Sequence, residues 1–367
     1  MNLRIPGPTP LPREVAEAGG REMINHRGPE FADLIARTTE GVRRVYGTEN
    51  EVLTLSASGT GGMEAAVANH VSPGERVLVV TIGVFGNRFA EIVTAYGGIP
   101  QLLEHEHGTA ADANEVDRIL ASDPSIRTVL ITHNETSTGA TNVALPRIAE
   151  AVRHHDRLLL VDAISSLSSI PVDVDGWGLD VVVSGSQKGW MMGPGLAFIS
   201  VSERAWERQE RCTAPRFYFD LRRARRSLEA GQTPWTPAIP LLFQLDRALE
   251  LMFEEGIEAI YERHRRLARM TRDGVRSLGL ELLAAEGVES DTVTAMRVPE
   301  GIAASDILRV AREEHGTVFA GGQGPLGGKI VRFGHLGYVS EEDVSSGLDA
   351  LAGTLRALGF AGAGAAV

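Results

Sequence analysis

The sequence predicts an α/β fold: a mainly parallel sheet covered by helices on both faces, followed by a smaller α+β part. Three observations support this. Short apolar runs, rich in valine and leucine, alternate with amphipathic helical segments from about residue 50 to residue 185. Polar or glycine-rich residues follow several of these runs directly, as at the carboxyl ends of parallel strands. Beyond residue 240 the pattern changes to a long helical stretch and then mixed strands and helices.

Composition limits the possible partners and compartments. With 367 residues, 43% hydrophobic and 23% charged, the chain is long enough for two domains and a large core. Its net charge of −12 argues against nucleic acid and anionic membranes as partners. A single cysteine, Cys212, indicates a reducing compartment, and there is neither a signal peptide nor an apolar run of about 18 residues. We therefore expect a cytoplasmic protein.

The first part of the chain begins extended and then alternates strands with helices. Four prolines within residues 1–12 disfavour a helix there, and helical periodicity starts near Arg13. We predict strands at 52–55, 76–80, 128–132, 157–161, 181–184 and 195–201, and helices at 29–46, 63–70, 87–95, 114–121 and 146–154.

The second part of the chain reads as a separate, smaller domain. Residues 214–240, rich in arginine, aromatic residues and proline, are predicted to form an ordered loop region, and a long helical stretch at 241–278 follows. Beyond it we predict strands at 292–298 and 330–333 and helices at 304–314 and 341–358. We expect a large domain of residues 13–245 and a small domain of residues 246–367, with 360–367 disordered.

A glycine-rich turn at residues 56–62 (Ser-Ala-Ser-Gly-Thr-Gly-Gly) separates the first predicted strand from its helix. Free N–H groups and the helix dipole converge at such a turn, so it predicts an anion site. We favour a phosphate ligand over a purely structural tight turn. The third glycine of the dinucleotide fingerprint is missing, which argues against a dinucleotide site.

One lysine, Lys188, follows the predicted strand 181–184 closely. It is conspicuous because 34 of the 36 basic residues are arginine, and the other lysine, Lys329, is predicted to be solvated at the start of a strand. Arginine can replace the charge of lysine, but its guanidinium is effectively never deprotonated and cannot form an imine. Lys188 is therefore a candidate for chemistry that needs an amine. The alternative is that this lysine has no special role and was retained by chance.

A carboxylate, Asp162, ends the predicted strand 157–161. An unpaired carboxylate is costly to bury there, so a cationic partner is expected, although alone it could equally cap a helix starting at residue 163. It precedes Lys188 by 26 residues, a spacing that can place both at neighbouring strand ends. A cofactor that needs a carboxylate at one end of its ring and an imine-forming lysine at the other is pyridoxal phosphate.

Several motifs in order resemble those of the class V, fold-type I family of pyridoxal-phosphate enzymes, most closely the alanine/serine–glyoxylate aminotransferase branch. This resemblance covers nearly the whole chain and implies a seven-stranded, mainly parallel sheet in the large domain, with residues 1–12 packing at the site. The matching segments are 6–9 (Pro-Gly-Pro-Thr), 58–61 (Ser-Gly-Thr-Gly), 135–139 (Glu-Thr-Ser-Thr-Gly), 162–166 (Asp-Ala-Ile-Ser-Ser), 184–189 (Ser-Gly-Ser-Gln-Lys-Gly), 193–195 (Gly-Pro-Gly), 232–237 (Gln-Thr-Pro-Trp-Thr-Pro) and 332–335 (Arg-Phe-Gly-His).

The resemblance also assigns residues to the cofactor. It implies that Lys188 binds the cofactor as a Schiff base and that Asp162 is the partner of the pyridine nitrogen. Phe85 matches an aromatic residue stacked on the ring, the alternative being a core phenylalanine. The other implied cofactor contacts are Ser58, Gly59, Thr60 and Gln187 at the phosphate, Thr136 beside the ring, and Thr236, which reaches the phosphate from the other subunit of a homodimer.

For the substrate, the resemblance implies that Arg332 binds its carboxylate, the alternative being a surface arginine, and that Gly7 lies in the substrate site. Trp190 departs from the family pattern and adds bulk just past the lysine, which can alter the substrate pocket. No metal site is expected, because residues 105–107 (His-Glu-His) have metal-like spacing but lie on a predicted loop without other ligands.

We therefore expect transamination between a small amino acid, of the alanine or serine type, and a small 2-oxo acid, of the glyoxylate or pyruvate type. Two alternatives remain. One is different pyridoxal-phosphate chemistry on the same fold, such as racemisation, elimination or transamination of a biosynthetic intermediate. The other is a non-catalytic accessory subunit, against which Lys188, Asp162 and Arg332 argue.

Overall fold

A computed structural model describes residues 1–360 of the chain. The strands are β1 (Asn2–Leu3), β2 (Glu51–Ser56), β3 (Arg76–Thr81), β4 (Ile99–Glu104), β5 (Thr128–Thr132), β6 (Asn134–Glu135), β7 (Ala140–Thr141), β8 (Leu158–Asp162), β9 (Val181–Gly185), β10 (Leu196–Val201), β11 (Val293–Arg297), β12 (Thr317–Val318), β13 (Ala320–Gly321) and β14 (Ile330–Gly334). The helices are α1 (Arg13–Ala18), α2 (Pro29–Tyr46), α3 (Gly59–His70), α4 (Val84–Ala95), α5 (Ala113–Ser122), α6 (Leu145–His154), α7 (Glu203–Arg211), α8 (Leu221–Glu229), α9 (Ile239–Glu255), α10 (Ile257–Ser277), α11 (Ala304–Glu313) and α12 (Glu341–Ala357), and a 3-10 turn spans Gly324–Leu326.

A seven-stranded sheet, in the order β2-β10-β9-β8-β5-β3-β4, forms the centre of the fold. Strands β9, β8, β5, β3 and β4 are parallel, and β10 runs antiparallel to both of its neighbours. Every residue of β5, β8 and β9 is buried. Alternate residues along β8 belong to two separate hydrophobic clusters, one on each side of the sheet. The predicted fold class, a mainly parallel sheet between helices, is confirmed.

Local side-chain hydrogen bonds explain where two of the helices begin. Ser58 caps α3, its hydroxyl accepting from the Gly61 N–H at 3.3 Å. The last helix, α12, starts with a capping box in which Ser340 and Asp343 bond each other's backbone N–H groups. Between α9 and α10 the chain turns at Gly256, whose φ of +90° is unfavourable for other residues. The single helical stretch predicted at 241–278 is therefore two helices.

The two-residue strands β1, β6, β7, β12 and β13 were not predicted. Among the longer elements, β4, α7 and α8 were also missed, and charge or edge exposure explains each. β4 lies at the sheet edge, where half-exposed residues and Pro100 interrupt the apolar run. α7 is dense in charge, with few buried residues. α8 falls within the segment 214–240, for which we expected a loop region. Arginines make up much of this helix, and its buried face is narrow, so the apolar pattern in the sequence is weak. For that segment the loop prediction was wrong over the nine residues of α8.

The C-terminal part contains an antiparallel sheet, β11-β14-β13, packed with α10, α11 and α12. The short β1 pairs in parallel with β12, so the chain starts in this part before crossing to the central sheet. The boundary between residues 245 and 246 stays a proposal, and α9 packs on the core shared with α2. The disorder expected for 360–367 falls on residues outside the described range, apart from residue 360 itself. No helix within residues 1–360 is long and apolar enough to cross a membrane.

Candidate active site

The candidate site lies at the carboxyl ends of β8 and β9. Asp162, the last residue of β8, pairs with Val183 of β9, and Lys188 follows the end of β9 by three residues. The N-terminus of α3 approaches the same edge, where Gly185 lies so close to Gly59 that a Cβ on Gly185 would be 3.2 Å from the Gly59 Cα. The topology thus brings Asp162, Lys188 and the glycine-rich turn together.

Lys188 is 9% exposed, and the N-terminal segment covers it. Its Nζ donates to the Pro6 carbonyl at 2.6 Å, and its own carbonyl accepts from the Thr9 hydroxyl at 3.0 Å. Gly7 lies against the amine: a Cβ at that position would be 2.9 Å from Nζ, and its φ is +137°. Residue 7 therefore has to be glycine for both steric and conformational reasons.

The electrostatic environment favours the neutral amine of Lys188. Burial, together with the charges of Arg332 and Arg88, lowers the pKa of Lys188 from 10.5 to about 8. The carboxylates of Asp162 and Glu135 oppose this shift in the pKa. A larger fraction of this amine is therefore neutral near pH 7 than of an exposed lysine, which favours imine formation.

Asp162 is 3% exposed and has no basic side chain within ion-pair distance among the described residues. One carboxylate oxygen accepts from the Ile164 N–H at 2.9 Å and the other from the Thr132 hydroxyl at 3.3 Å. Burial raises the pKa of Asp162 to about 7. No helix starts at Ala163, so the alternative of a helix cap is not supported. A buried acceptor without a cation fits a ligand that brings a protonated nitrogen.

Ser58, Gly59, Thr60 and Gln187 surround the N-terminus of α3, and we call them the α3 cradle. The first turn of the helix leaves backbone N–H groups without intrahelical partners, and the dipole favours an anion there. The Gln187 Oε1 is buried without a hydrogen-bond partner within residues 1–360. A Cβ on Gly59 would lie 2.7 Å from the Ile164 side chain, so this close approach requires glycine. The cradle fits a phosphate group.

Phe85 is the second residue of α4 and half-buried. The N–H groups of Phe85 and Gly86 donate to one oxygen of Glu135 at 3.0 and 3.2 Å. The other oxygen accepts from the N–H and hydroxyl of Ser137 at 3.1 and 2.6 Å. Glu135 is fully buried, and burial raises the pKa of its carboxyl. This carboxylate therefore fixes the N-terminus of α4 and with it the position of Phe85.

Arg332, in the middle of β14, is 5% exposed, which rules out a surface arginine. Its Nε donates to the Gly321 carbonyl at 2.9 Å and its Nη1 to the Thr136 carbonyl at 3.2 Å. The Thr136 hydroxyl donates to Ser165 Oγ at 2.8 Å. Burial lowers the pKa of Arg332, and the Glu135 charge opposes this. Within residues 1–360, Nη2 donates to no protein acceptor, so one edge of the fork remains for a ligand.

Two further residues named from the sequence have different surroundings. Thr236 is exposed and lines a surface pocket with Ser56 and Tyr218, and its contact with the phosphate of a neighbouring subunit stays a prediction. Trp190 is fully buried and packs on Tyr46 and Phe198. The expectation that Trp190 adds bulk to the substrate pocket is wrong, because its ring points into the core beneath the sheet.

Sequence reasoning did not assign roles to two charged residues of the site. Glu135 lies within a recognised motif, but its bonds to the start of α4 depend on long-range packing. Arg88 follows Phe85 by three residues, one helical turn, and that spacing was the available signal. Its guanidinium carbon lies 4.6 Å from the Phe85 ring centroid, and its Nη1 donates to the Thr60 hydroxyl at 3.0 Å.

Comparison with known proteins gives matches over nearly the whole chain. The family described as aminotransferase class-V matches residues 5–346. The small subunit of a soluble hydrogenase from Synechococcus sp. (strain PCC 6716) is 43% identical, over 98% of this chain and 94% of that one. L-Aspartate–glyoxylate aminotransferase from Paracoccus denitrificans is 38% identical, over 94% and 88%. The crystal structure of alanine–glyoxylate aminotransferase from Nostoc sp. has a TM-score of 0.93 at 30% identity, over 97% and 95%.

Proposed function

Because this chain belongs to the class-V aminotransferase family and is a pyridoxal-phosphate-dependent aminotransferase, we propose that it transfers the amino group of a small amino acid, of the alanine or serine type, to a small 2-oxo acid, of the glyoxylate or pyruvate type. One observation carries this: a single buried amine, that of Lys188, lies close enough to the Asp162 carboxylate and the Arg332 guanidinium for both to shift its pKa. Amine, ring-nitrogen partner and carboxylate receptor are the three groups that transamination needs from a protein.

Each group has a proposed partner on the cofactor. Lys188 offers the amine for covalent attachment, and Asp162 faces the ring nitrogen. The α3 cradle would hold the phosphate, and Phe85 and Thr136 would contact the ring. When bound, pyridoxal phosphate supplies an electron sink for the negative charge that develops at the substrate Cα. Asp162 keeps that sink effective because its carboxylate stabilises a protonated ring nitrogen.

Lys188 is also the group that we propose moves the proton at the substrate Cα. A general acid–base catalyst works best with a pKa near the operating pH, and the pKa of Lys188 is lowered to about 8. Its Nζ is held by the Pro6 carbonyl at 2.6 Å, so the amine has a fixed resting position when not engaged. The lysine therefore has the proton affinity and the position for this role.

The substrate carboxylate is proposed to bind Arg332 and the backbone at Gly7. Arg332 already donates Nε and Nη1 to two carbonyls, which fixes its plane and presents Nη2 for one edge of a carboxylate. The turn after β13 lies near the start of α4, since a Cβ on Gly324 would be 3.5 Å from the Val84 side chain. The proposed small substrate side chain rests on the family resemblance.

We also propose a homodimer in which Thr236 contacts the phosphate of the neighbouring subunit. Thr236 is exposed in the single chain. Beside it lies an aromatic patch in which Phe217 and Tyr218 are 66% and 46% exposed and stack on Trp235 at centroid distances of 4.9 and 5.9 Å. Exposed stacked aromatic rings are typical of a protein interface.

A panel of amino donors with glyoxylate and with pyruvate as acceptors tests the proposal. We expect turnover with alanine or serine, and slower turnover with larger donors. A donor alone should transfer one amino group per active site, which separates transamination from racemisation and elimination. Activity with large or dicarboxylic donors alone would contradict the substrate class while leaving the aminotransferase in place.

The hydrogenase name of a relative 43% identical to the chain favours one further candidate, a non-catalytic accessory subunit. Lys188, Asp162 and Arg332 would then serve no reaction. This alternative requires that no donor in the panel transfers its amino group to the protein-bound cofactor. A single reactive donor rules it out.

A further inference from the structure

We propose that Arg88 is a phosphate-binding residue, which supplies the positive charge with which this chain distinguishes the phosphorylated cofactor from unphosphorylated pyridoxal. This inference rests on the proposed placement of the cofactor at Lys188 and the α3 cradle. No family motif used above includes Arg88, and only its contacts in the structure draw attention to it.

The side chain of Arg88 is fixed at the cradle from two directions. Its Nη1 donates to the hydroxyl of Thr60, the second residue of α3, at 3.0 Å. Its guanidinium carbon lies 4.6 Å from the centre of the Phe85 ring. A stacked and hydrogen-bonded guanidinium has lost most of its rotational freedom, so an anion that binds it incurs little additional ordering cost.

The charge of Arg88 has no carboxylate partner. No ion pair of Arg88 within 4.0 Å occurs in the part of the chain that the structure describes, although the residue is half-buried. Its charge nevertheless lowers the pKa of Lys188, which places it close to the reactive amine. An unpaired, half-buried cation facing a site is expected to meet an anion there.

A phosphate monoester provides such an anion. It carries about −1.5 to −2 charges at pH 7. Ser58, Thr60 and Gln187 are neutral, and a helix N-terminus contributes only about half a positive charge. Arg88 adds a full positive charge beside the cradle through its bond to Thr60. One of its five N–H donors is used by Thr60, which leaves the others for phosphate oxygens.

Two other roles are possible for the same guanidinium. It could join α3 to α4 purely structurally, or it could bind the second carboxylate of a dicarboxylic substrate. The contact with Thr60 favours phosphate, because Thr60 lies at the helix N-terminus, where the phosphate is placed. The test separates all three roles.

Apo-protein is titrated with pyridoxal phosphate and with pyridoxal, and dissociation constants are measured from absorbance for wild type, Arg88→Met, Arg88→Lys and Arg44→Met. Arg44 is the matched control, since it stacks on Phe253 at 3.9 Å in a different part of the fold. Loss of one charge-assisted hydrogen bond predicts about 10- to 100-fold weaker binding of pyridoxal phosphate by Arg88→Met. Pyridoxal binding should be unchanged, Arg88→Lys should lose less, and Arg44→Met should bind both compounds like wild type.

Three results would overturn the inference. Equal weakening for both compounds would mean that Arg88 acts through Phe85 or the fold. Unchanged affinity of Arg88→Met for both compounds would mean that Arg88 does not bind the cofactor. If only the KM of a dicarboxylic donor then rises, Arg88 binds the second carboxylate of the substrate. If wild type itself binds neither compound at Lys188, the placement of the cofactor fails, and that failure is visible before any variant is measured.

Discussion

Replacing Asp162 by asparagine is expected to stabilise the cofactor-free protein at pH 8 while impairing catalysis. The carboxylate is 3% exposed and accepts only two hydrogen bonds, from the Ile164 N–H and the Thr132 hydroxyl. Without a cation from the cofactor, ionised Asp162 is poorly compensated. Asparagine keeps an acceptor for the Ile164 N–H, and the Thr132 hydroxyl can turn to accept from the new amide.

The magnitude follows from the pKa of Asp162. Burial raises this pKa to about 7, whereas the unfolded chain has the ordinary pKa of 3.8. At pH values between these two pKa values, the folded state binds more protons than the unfolded state. The free energy of unfolding therefore falls as the pH rises from 3.8 to about 7. From pH 5 to pH 7 the loss is about 2.3 kcal/mol, at about 1.36 kcal/mol per proton and pH unit, because the folded carboxyl is half ionised at pH 7. Asparagine does not titrate, so the variant should lose none of it.

Thermal and urea unfolding of the two apo-proteins at pH 5 and pH 8 tests this. The variant should be the more stable protein at pH 8, and its advantage over wild type should be larger at pH 8 than at pH 5. Asp123→Asn is the control with the opposite sign: hydrogen bonds from Ser125 lower the pKa of Asp123, so asparagine should destabilise the protein at pH 8. Parallel pH profiles for wild type and Asp162→Asn would refute the reasoning.

Three further substitutions test the other parts of the site. Arg332→Gln should lower kcat/KM about 30-fold or more, chiefly through KM, because removing one partner of a charged pair costs at least about 2 kcal/mol. Unchanged steady-state kinetics for every active donor would mean that the substrate carboxylate binds elsewhere. Gly7→Ala should impair cofactor attachment, measured by absorbance, because the new Cβ would lie 2.9 Å from the Lys188 amine, whereas Gly47→Ala, at a φ of +59° with open space around it, should affect only stability. Thr236→Val should weaken phosphate binding in a protein that light scattering shows to be a dimer; a monomer that binds the cofactor tightly would contradict the shared site.

Much of the fold could be predicted because strands that are buried on both faces have short, continuous apolar sequences. β5, β8 and β9 are buried along their whole length, and each was predicted as a strand within about one residue of its bounds. At the sheet edge this signal fails, since no residue of β4 is fully buried. It fails again in α8, where arginine covers the solvent face. Both elements are stabilised by one-sided packing, which leaves a weaker pattern in the sequence.

The site was predictable where chemistry depends on residue type at a strand end, and not where it depends on packing. Lys188 stands out because lysine is so rare in this chain, and Asp162 because a carboxylate ends a buried strand. Glu135 and Arg88 act on the start of α4 and on α3, and nothing local shows which helix each one reaches. Trp190 illustrates the same limit, since sequence adjacency to the lysine suggested the pocket but the chain directs its ring into the core.

The central claim is that Lys188 carries the cofactor, and the two lysines of this chain make it directly testable. Borohydride reduction of the protein loaded with pyridoxal phosphate fixes the cofactor to the amine that holds it, and peptide mapping by mass spectrometry then locates the label. We expect one label per chain, on the peptide that contains Lys188, and none in Lys188→Arg. A label on Lys329, which is exposed at the start of β14, or no label at all, would contradict the account.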